Sequence, residues 1–458
     1  MLEPAYQVDV VVVGAGIAGL AAARRLASAG VSTAVLEADA CVGGRMATEK
    51  VDGFRLDRLG QPLFTSWSEL RTTPGLDALP LRRFAPGVLL HRDGHRHRAG
   101  APAVAGGARG ALHMARALAS APRGPGSARE SRTGGAAGGA MDRARLGSAL
   151  NRLAATPVER LLSRPELPAA QALQARGLPP RTVEGFLRPL LAALLCDPEL
   201  TTSSRAADLA LHAFAGGRLC VPEGGAQALP DQLTRSLPPG TVRTGVRVTS
   251  VSTTSVTTAE HGVIRCRAVL LATGARAAAE LLPGLRVPDF HPVTVVHHTT
   301  DDPAPALATG SALLLDADRG GPVAHTAVLS TVDPGRAPAG RVLISSTVLG
   351  TPPGAPGELD SAVRIQLARL YGTSTHRWET LAVHHIPEAV PALRPPYDAR
   401  RPVRLMAGLY VCGDHRDSGT VQGALHSAHR AAAALLSDLG AAGSMHRADP
   451  AATVPRAA

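Results

Sequence analysis

The sequence contains very little lysine and few aromatic residues. Lys50 is the only lysine among 48 basic residues, so arginine carries nearly all of the positive charge. Aromatic residues make up 3 % of the chain, which argues against a surface that stacks nucleic-acid bases and predicts a core of leucine, valine and alanine. The net charge of +11 comes from scattered arginines that form no basic block, so we expect no nucleic-acid partner.

Cysteine and long apolar runs are also scarce. The five cysteines are odd in number, lie far apart and form no C-x-x-C pair, which predicts reduced thiols and a cytoplasmic protein. The N-terminal segment has no basic region of the kind that begins a signal peptide. No apolar run reaches the length of a membrane-spanning helix. We therefore expect a cytoplasmic protein whose contact with a membrane is peripheral at most.

The N-terminal sequence VDVVVVGAGIAGLAAARRLASAG has the pattern of a buried strand, a glycine-rich turn and a helix. Gly14 permits the tight turn, Gly16 lets the backbone approach a pyrophosphate, and Gly19 allows the helix to pack closely on the strand. A second strand ends at Glu37, whose carboxylate can accept hydrogen bonds from the ribose hydroxyls of an adenosine. The residues predicted to contact a dinucleotide in this unit are Gly14, Ala15, Gly16, Ala18, Gly19, Glu37 and Ala38.

The sequence GGR follows this unit and favours FAD over NAD. Gly44 lets the chain pass close to an extended cofactor, and Arg45 can pair with a phosphate or a ribityl oxygen. An NAD dehydrogenase has no need of this element, and the carboxylate of Glu37 repels the 2′-phosphate of NADP. The sequence holds no second G-x-G-x-x-G, so we expect no separate nicotinamide-binding domain.

The sequence GLYVCGDHRDSGTVQGALHSAHRAA near the C-terminus has the pattern of another strand, turn and helix. Asp414 can accept a hydrogen bond from a ribityl hydroxyl. The helix N-terminus can place its positive dipole end where negative charge develops on a reduced flavin ring. We interpret Cys412 as a buried strand cysteine, so we expect FAD to be bound non-covalently. The predicted cofactor contacts in this unit are Gly413, Asp414, Val421, Gln422, Gly423 and Ala424.

With these motifs the chain resembles the flavin amine oxidase superfamily, which includes monoamine oxidases, protoporphyrinogen oxidase and phytoene desaturases. The closest likeness is to the bacterial phytoene-desaturase-like FAD-dependent oxidoreductases. It extends over most of the chain through DGFRLDRLGQPL, GFLRPLLAALLCDPELTTSSR, VPEGGAQALPDQL and RWETLAVHHIPEAVPAL. The resemblance implies further FAD contacts from Gln61, from the backbone of Val248, and from Thr273 and Gly274. It identifies no catalytic residue.

The same resemblance implies an α/β fold of two interleaved domains. One is a Rossmann-like FAD-binding domain of the glutathione-reductase-2 type, expected at 1–88, 215–290 and 400–440. The other is an α+β substrate domain, expected at 89–214 and 291–399.

Local patterns add expectations of their own within that division. Helical spacing is found in 157–176 and 180–195, and strand patterns in 293–298, 312–315, 324–331 and 341–347. The stretch 99–140 is rich in Gly, Ala, Arg and Ser and is predicted to be a flexible insertion. Residues 441–458 are expected to form a loose tail.

Several functions are open to a flavoprotein of this kind. The preferred one is a desaturase-like reaction, in which a hydride passes from an apolar, polyene- or isoprenoid-like substrate to flavin N5. The alternatives are oxidation of an amine, a protoporphyrinogen-oxidase-like activity, and a flavin with only a structural role. Many amine oxidases of the superfamily use a lysine that holds a water at flavin N5, whereas Lys50 lies outside the expected substrate domain. A diffusible acceptor, oxygen or a quinone, is expected to reoxidise the flavin.

The sequence HRDGHRH contains three histidines, His91, His95 and His97, that could bind a metal. An Asp-Gly turn lies between the first histidine and the other two, which predicts a β-hairpin. Because no cysteine or second acidic residue lies nearby in the sequence, we predict a solvated hairpin and no metal site.

Overall fold

A computed structural model describes residues 8–100, 140–301, 307–352, 354 and 356–440 of the chain. The expected insertion at 99–140, apart from its ends, lies outside the described residues. The whole of the expected tail at 441–458 also lies outside them.

The first large sheet has eight strands. They are β1 (Val8–Val13), β2 (Thr33–Leu36), β10 (Val242–Arg243), β11 (Val248–Val251), β12 (Ser255–Thr258), β13 (Gly262–Leu271), β19 (Arg404–Met406) and β20 (Leu409–Val411). Strands β10, β2, β1, β13 and β20 follow one another in space, and each neighbouring pair is parallel. Strands β11 and β12 extend β13 in antiparallel fashion, and β19 pairs antiparallel with β20.

The valine run of β1 explains why this strand lies at the centre of the sheet. Val10 and Val12 belong to a buried cluster that includes side chains of α1 (Ile17–Ser28) and α13 (Val421–Asp438). Val11 and Val13 belong to a separate cluster, with residues of β13 and β20. Because side chains alternate across a strand, an unbroken apolar run buries both faces of the sheet.

The second large sheet has seven strands in the spatial order β18-β14-β17-β16-β15-β7-β8. Their bounds are β7 (Val88–Arg92), β8 (His95–Ala99), β14 (Phe290–Thr300), β15 (Leu314–Asp316), β16 (Val323–Val328), β17 (Val342–Leu349) and β18 (Glu379–Pro391). Every neighbouring pair is antiparallel except β15 and β7. The strand predicted at 324–331 is wrong at its end, because β16 stops at Val328 and a helical turn, α11 (Leu329–Val332), follows.

Two small sheets and further helices complete the described fold. The small sheets are β3 (Thr48–Val51) with β4 (Phe54–Asp57), and β5 (Leu63–Phe64) with β9 (Leu219–Pro222) and β6 (Leu81–Arg83). The other helices are α2 (Glu69–Thr72), α3 (Ala140–Ala155), α4 (Val158–Leu162), α5 (Ala169–Ala175), α6 (Pro180–Thr182), α7 (Arg188–Leu195), α8 (Ser204–Gly216), α9 (Ala228–Arg235), α10 (Ala275–Leu281) and α12 (Pro356–Tyr371). A π-helical turn occupies Val183–Leu187, and 3₁₀ turns occupy Gly44–Met46, Pro334–Arg336 and Asp414–Arg416.

The predicted α/β fold class is confirmed by this arrangement of sheets and helices. Helices α3, α7 and α8 pack with strands β7 and β15 in one of the two large buried apolar clusters of the described chain. The division of the chain into FAD-binding and substrate domains stays a prediction. None of the described helices is long and apolar enough to cross a membrane.

Candidate cofactor and substrate site

A cavity of about 970 Å³ brings together residues from the two ends of the chain. It begins beside the ends of β1 and β2 and reaches the N-terminus of α13. Most of the predicted cofactor contacts line it: Gly14, Gly16, Ala18, Glu37, Ala38, Gly44, Arg45, Gln61, Val248, Thr273, Gly274, Gly413, Asp414, Val421 and Ala424. The other four, Ala15, Gly19, Gln422 and Gly423, are not among the residues that line it.

The glycines of the first turn have different surroundings. Gly14 has φ +104°, a backbone conformation that favours glycine, and its N–H donates to the Leu36 carbonyl at 2.8 Å. A Cβ added at Gly19 would lie 2.0 Å from the Gly14 carbonyl oxygen, so only glycine fits where α1 meets the turn. A Cβ added at Gly16 would meet nothing within 4 Å. Gly16 therefore leaves open space on the cavity side of the α1 N-terminus.

Glu37 joins the second strand to the glycine turn. Its Oε2 accepts a hydrogen bond from the Ala15 N–H at 2.7 Å, and its Oε1 accepts from the Asp39 N–H at 3.0 Å. Two carboxylate oxygens offer about four acceptor sites, so positions remain open toward the cavity. Glu37 can therefore orient the turn and still accept from a ribose hydroxyl.

Arg45 and Asp414 form a bidentate ion pair between segments that are 369 residues apart. Both nitrogen–oxygen distances are 2.7 Å, and Arg45 Nη1 also donates to the Ala389 carbonyl at 2.8 Å. The Arg45 side chain is 36 % exposed, and it lines the cavity. The pair thus joins the GGR element, the C-terminal motif and the end of β18 around one part of the cavity.

The charges of this pair are mutually stabilised. Burial opposes the charged form of Asp414, but Arg45 outweighs burial and holds the pKa of Asp414 below its usual value. The neighbouring imidazole of His415 responds differently. Burial lowers the pKa of His415 to about 4, against the opposing influence of Asp414. At neutral pH the site therefore contains a carboxylate, a guanidinium and a neutral histidine.

The N-terminus of α13 closes the cavity at its other end. Thr420 caps this helix, since its Oγ1 accepts a hydrogen bond from the Gly423 N–H at 3.2 Å. A Cβ at Gly423 would lie 2.5 Å from Ser418 Oγ, so the glycine permits the close turn. Gln422 is turned away from the cavity, where its amide contacts Ser68 and the Glu69 N–H.

Several lining residues were not predicted individually. Asp57, Leu59, Ile386 and Ala389 line the cavity together with Gln61. They lie in the segments DGFRLDRLGQPL and RWETLAVHHIPEAVPAL, so the family-like sequence around them was the available signal. Which side chains of these segments face the cavity depends on tertiary packing, and strand periodicity alone does not settle it.

Burial and hydrogen bonds with neighbouring residues account for the cysteine, tyrosine and histidine side chains near the motifs. Cys412 is fully buried on the strand side, and burial raises the pKa of its thiol to about 12, so it is not a reactive thiolate. Tyr410 is buried, does not line the cavity and hydrogen-bonds to Asp438. His297 Nε2 donates to the Asp57 carbonyl at 3.0 Å, and His385 Nδ1 contacts Thr294 Oγ1.

The residues that line the cavity fit the chemistry of FAD. A Cβ added at Gly16, Gly44 or Gly274 would meet nothing within 4 Å, and all three positions line the cavity. The α1 N-terminus offers free N–H groups to a pyrophosphate. Glu37 and Asp414 offer carboxylate acceptors for the hydroxyls of a ribose and a ribityl chain. A Rossmann-type flavoprotein is the class of protein that this fold and site define.

Residues 17–436 match the family described as flavin containing amine oxidoreductase. The match spans most of the chain, so the chain belongs to that family, and the predicted superfamily is confirmed. Membership assigns FAD as the cofactor and oxidoreduction as the class of reaction.

The relatives within this family differ in their substrates. A putrescine oxidase from Kocuria rosea is 46 % identical over 98 residues, which are 21 % of this chain and 20 % of that protein. A carotenoid 3,4-desaturase from Haloarcula japonica is 53 % identical over 49 residues, 11 % of this chain and 10 % of that protein. The matched segments thus span about a fifth or less of either relative.

A solved structure gives a comparison of the whole fold. Putrescine oxidase bound to putrescine has a TM-score of 0.66 at 19 % identity, covering 95 % of this chain and all of that one. At this identity the likeness shows a shared fold and leaves the substrate open.

Proposed function

We propose that the protein is a desaturase-like FAD-dependent oxidoreductase that acts on an apolar, polyene- or isoprenoid-like substrate. One observation carries this proposal. The part of the cavity formed by the second sheet is an apolar wall whose one lining carboxylate, Glu388, is paired with Arg276, and no described lysine lies on it.

The apolar wall is built on β14 and β18. Val293 and Val295 of β14 form a buried cluster with Cys196, Ala389 and Val390. Partly buried side chains pack against the cluster, namely Leu59, Leu349 and Ile386. Leu59, Ile386 and Ala389 also line the cavity, so the cluster presents hydrocarbon surface to whatever occupies it. Burying an apolar side chain contributes about 1.5–3 kcal/mol, which favours a hydrocarbon substrate at this wall.

The polar groups beside the apolar wall are neutral or already paired. Burial raises the pKa of the Cys196 thiol to about 11, and Gln61 Nε2 donates to its sulfur at 3.1 Å. Three carboxylates that line the cavity, Asp57, Glu388 and Asp414, are each paired with an arginine. A charged amine would find no unpaired carboxylate among these three. Lys50 is exposed on β3, outside the cavity lining.

The residues of the chain would bind and orient the substrate and exclude water from it. FAD, when bound, supplies the acceptor for a hydride and its electron pair. The substrate carbon next to the one that loses the hydride would release a proton, so that a carbon–carbon double bond forms. A diffusible acceptor, oxygen or a quinone, would then take the electrons. The N-terminus of α13 would stabilise negative charge that develops at its end of the cavity.

Anaerobic titration of the purified flavoprotein tests this proposal. We expect the visible flavin absorption to bleach with an apolar polyene, and to persist with amines or NADPH. Amine oxidation is the second candidate, favoured by the matched segment of putrescine oxidase. Bleaching by amines alone would establish that candidate and overturn the proposal.

A variant of the apolar wall separates substrate binding from cofactor binding. Ile386→Asn puts an amide on the half-buried wall and should slow reduction by the polyene by roughly tenfold, since about 1.4 kcal/mol corresponds to a factor of ten. The control is Ile365→Asn, because Ile365 is 66 % exposed and lies outside the cavity lining. The FAD content of the two variants should be equal. Equal reduction rates would show that the wall does not contact the substrate.

A further inference from the structure

Three side chains with metal-ligand chemistry meet at one edge of the second sheet. Strands β7 and β15 are parallel neighbours, and their register places Asp316 beside His91. The turn after β15 brings Asp318 to the same place, with its Oδ2 at 3.5 Å from His91 Nδ1. One ligand atom of each residue lies within 4.8 Å of the other two. The sequence predicted no metal site at this hairpin, because the two aspartates lie more than 200 residues from the histidine in the chain.

His91 supplies an independent indication that something binds here. The residue is only 9 % exposed, and its Nδ1 has no hydrogen-bond partner among the described residues. Buried polar nitrogens in proteins are nearly always paired, so an unpaired one requires an explanation. This nitrogen is the atom that faces Asp318. A bound cation would occupy its lone pair and lie between it and the carboxylates.

Contacts from outside the group hold the two carboxylates in position. Asp316 Oδ2 accepts a hydrogen bond from Gln366 Nε2 at 2.6 Å and from the Gly320 N–H at 2.9 Å. Asp318 Oδ2 accepts from the Asp93 N–H at 2.9 Å. Each carboxylate keeps acceptor sites beyond these bonds. Metal ligands in proteins are oriented by hydrogen bonds of this kind.

The ligand set has the chemistry of a transition-metal site. Imidazole suits zinc and its neighbours in the first row, and carboxylates complete such sites with oxygen ligands. Two ligands on a tetrahedral zinc ion lie about 3.4 Å apart, close to the distance between His91 Nδ1 and Asp318 Oδ2. Three protein ligands leave the fourth position to water. We propose that His91, Asp316 and Asp318 bind one divalent cation of the zinc class.

The position of the site indicates what the ion does. None of the three ligands lines the cavity that fits FAD. The ion would instead tie the β7–β8 hairpin to the turn that follows β15 at the edge of the sheet. It would therefore raise the thermal stability of the protein and leave the flavin spectrum unchanged.

The other histidines of the hairpin provide a matched control. His91 pairs across the hairpin with Arg96, so the side chains of His95 and His97 point to the opposite face. Their ring centroids are 6.3 Å apart, and His95 is exposed. His95→Gln thus removes an imidazole from the same hairpin without touching the proposed site.

Calorimetric titration of the chelator-treated, FAD-containing full chain with Zn²⁺ tests the proposal. We expect one Zn²⁺ per chain, with affinity weakened roughly a hundredfold in His91→Gln and in Asp318→Asn and unchanged in His95→Gln. Asp318 is exposed, so its variant should fold even if His91→Gln does not. A direct contact between His91 and Asp318 without an ion is the competing explanation, and it predicts no stoichiometric binding of Zn²⁺. Absence of stoichiometric binding, or equal binding by wild type and Asp318→Asn, would overturn the metal site.

Discussion

Gly16 and Gly19 lie three residues apart in the first turn and face different parts of the structure. Gly16 borders open space in the cavity, whereas Gly19 contacts the backbone of the turn itself. The predicted role of Gly16 concerns the cofactor, and that of Gly19 concerns the packing of helix on strand. Two substitutions can separate these roles.

Gly16→Val should lower FAD binding without unfolding the protein. Its φ of −71° is accessible to any residue, and the added side chain would enter the space through which a pyrophosphate approaches. We expect FAD affinity to fall roughly tenfold or more. The ratio of visible to ultraviolet absorbance measures flavin content, and circular dichroism measures the fold. Full flavin content in Gly16→Val would contradict the assignment of the cavity.

Gly19→Ala should act on the fold first. Its Cβ would lie 2.0 Å from the Gly14 carbonyl oxygen, so the turn between β1 and α1 must shift. We expect a lower melting temperature of the apoprotein, which Gly16→Val should leave nearly unchanged. If Gly16→Val lowered the melting temperature of the apoprotein and Gly19→Ala left it unchanged, the proposed roles of the two glycines would be wrong.

At the scale of single residues, local sequence was enough to predict several residues of the cofactor site. The positions of Gly14, Gly19 and Glu37 follow from backbone geometry within one strand-turn-helix unit, so the motif alone could predict them. The partner of Arg45 could not be predicted in this way, because Asp414 is 369 residues away and meets it only in the folded chain. Arg45 was expected to pair with the cofactor, and the structure adds this second partner.

At the scale of elements, prolines explain where helical patterns failed. Residues 157–176 have the apolar spacing of a helix, but α4 ends at Leu162 and α5 begins only at Ala169. Pro165 and Pro168 lie between them, and a proline disfavours helical backbone in the residue before it. The second pattern, 180–195, is helical but contains the π turn Val183–Leu187. Pro189 lacks the N–H that would donate to Gly185, which accounts for the altered winding.

A buried hydroxyl is one of the groups that join helix α13 to the C-terminal turn. Ser427 is fully buried, and its Oγ accepts a hydrogen bond from the Gly413 N–H at 2.9 Å. In Ser427→Ala this N–H would lose its partner, at a cost of about 1–3 kcal/mol. We expect a lower free energy of unfolding and weaker FAD retention, measured by denaturant titration and by flavin release.

The exposed Ser437 on the same helix provides the control for that experiment. Ser437→Ala should change the free energy of unfolding by less than about 0.5 kcal/mol. If Ser427→Ala behaved like Ser437→Ala, the Ser427 hydroxyl would not contribute to holding the turn on the helix.

At the scale of the whole molecule, a buried ionic group joins segments that are far apart in the chain. Arg336 is fully buried and pairs with Asp57 at 2.8 Å and Asp333 at 3.2 Å. Arg336→Ala would leave two buried carboxylates without their cation and should cost about 3–5 kcal/mol of unfolding free energy. The exposed pair Arg394–Asp289 is the control, and Arg394→Ala should cost about 1 kcal/mol or less. Equal losses in urea titration would contradict the structural role of the buried group.

Buried histidines give the molecule a predictable dependence on pH. Burial lowers the pKa of His297, His325 and His415 from 6.5 to about 4. Each stays neutral in the folded chain, whereas the unfolded chain takes up protons once the pH falls below 6.5. The unfolded state then binds more protons, so stability falls as the pH drops from 6.5 to about 4 and is fully present above that window.

Denaturant titrations across this pH window test that dependence. We expect a loss of at most a few kcal/mol for each of the three histidines, since each pH unit contributes at most about 1.4 kcal/mol per histidine. His325→Gln should make the dependence shallower, and the exposed His95→Gln should not. A wild-type stability that is independent of pH in this range would show that these imidazoles are accessible to protons in the folded chain.

Sequence patterns could not predict the substrate. The cofactor follows from local motifs, but the apolar wall assembles from Leu59, Cys196, β14 and β18, which only the fold brings together. Lysine scarcity was the one sequence feature that bore on the substrate, and the exposed position of Lys50 on β3 agrees with it.

The most direct test of the proposed reaction is analysis of the substrate after a single anaerobic turnover. The flavoprotein would be mixed with a slight excess of an apolar polyene, and the products would be examined by mass spectrometry as the flavin bleaches. We predict that the polyene loses a pair of hydrogen atoms, in an amount equal to the flavin reduced. An unchanged polyene beside an amine converted to its aldehyde would contradict the account.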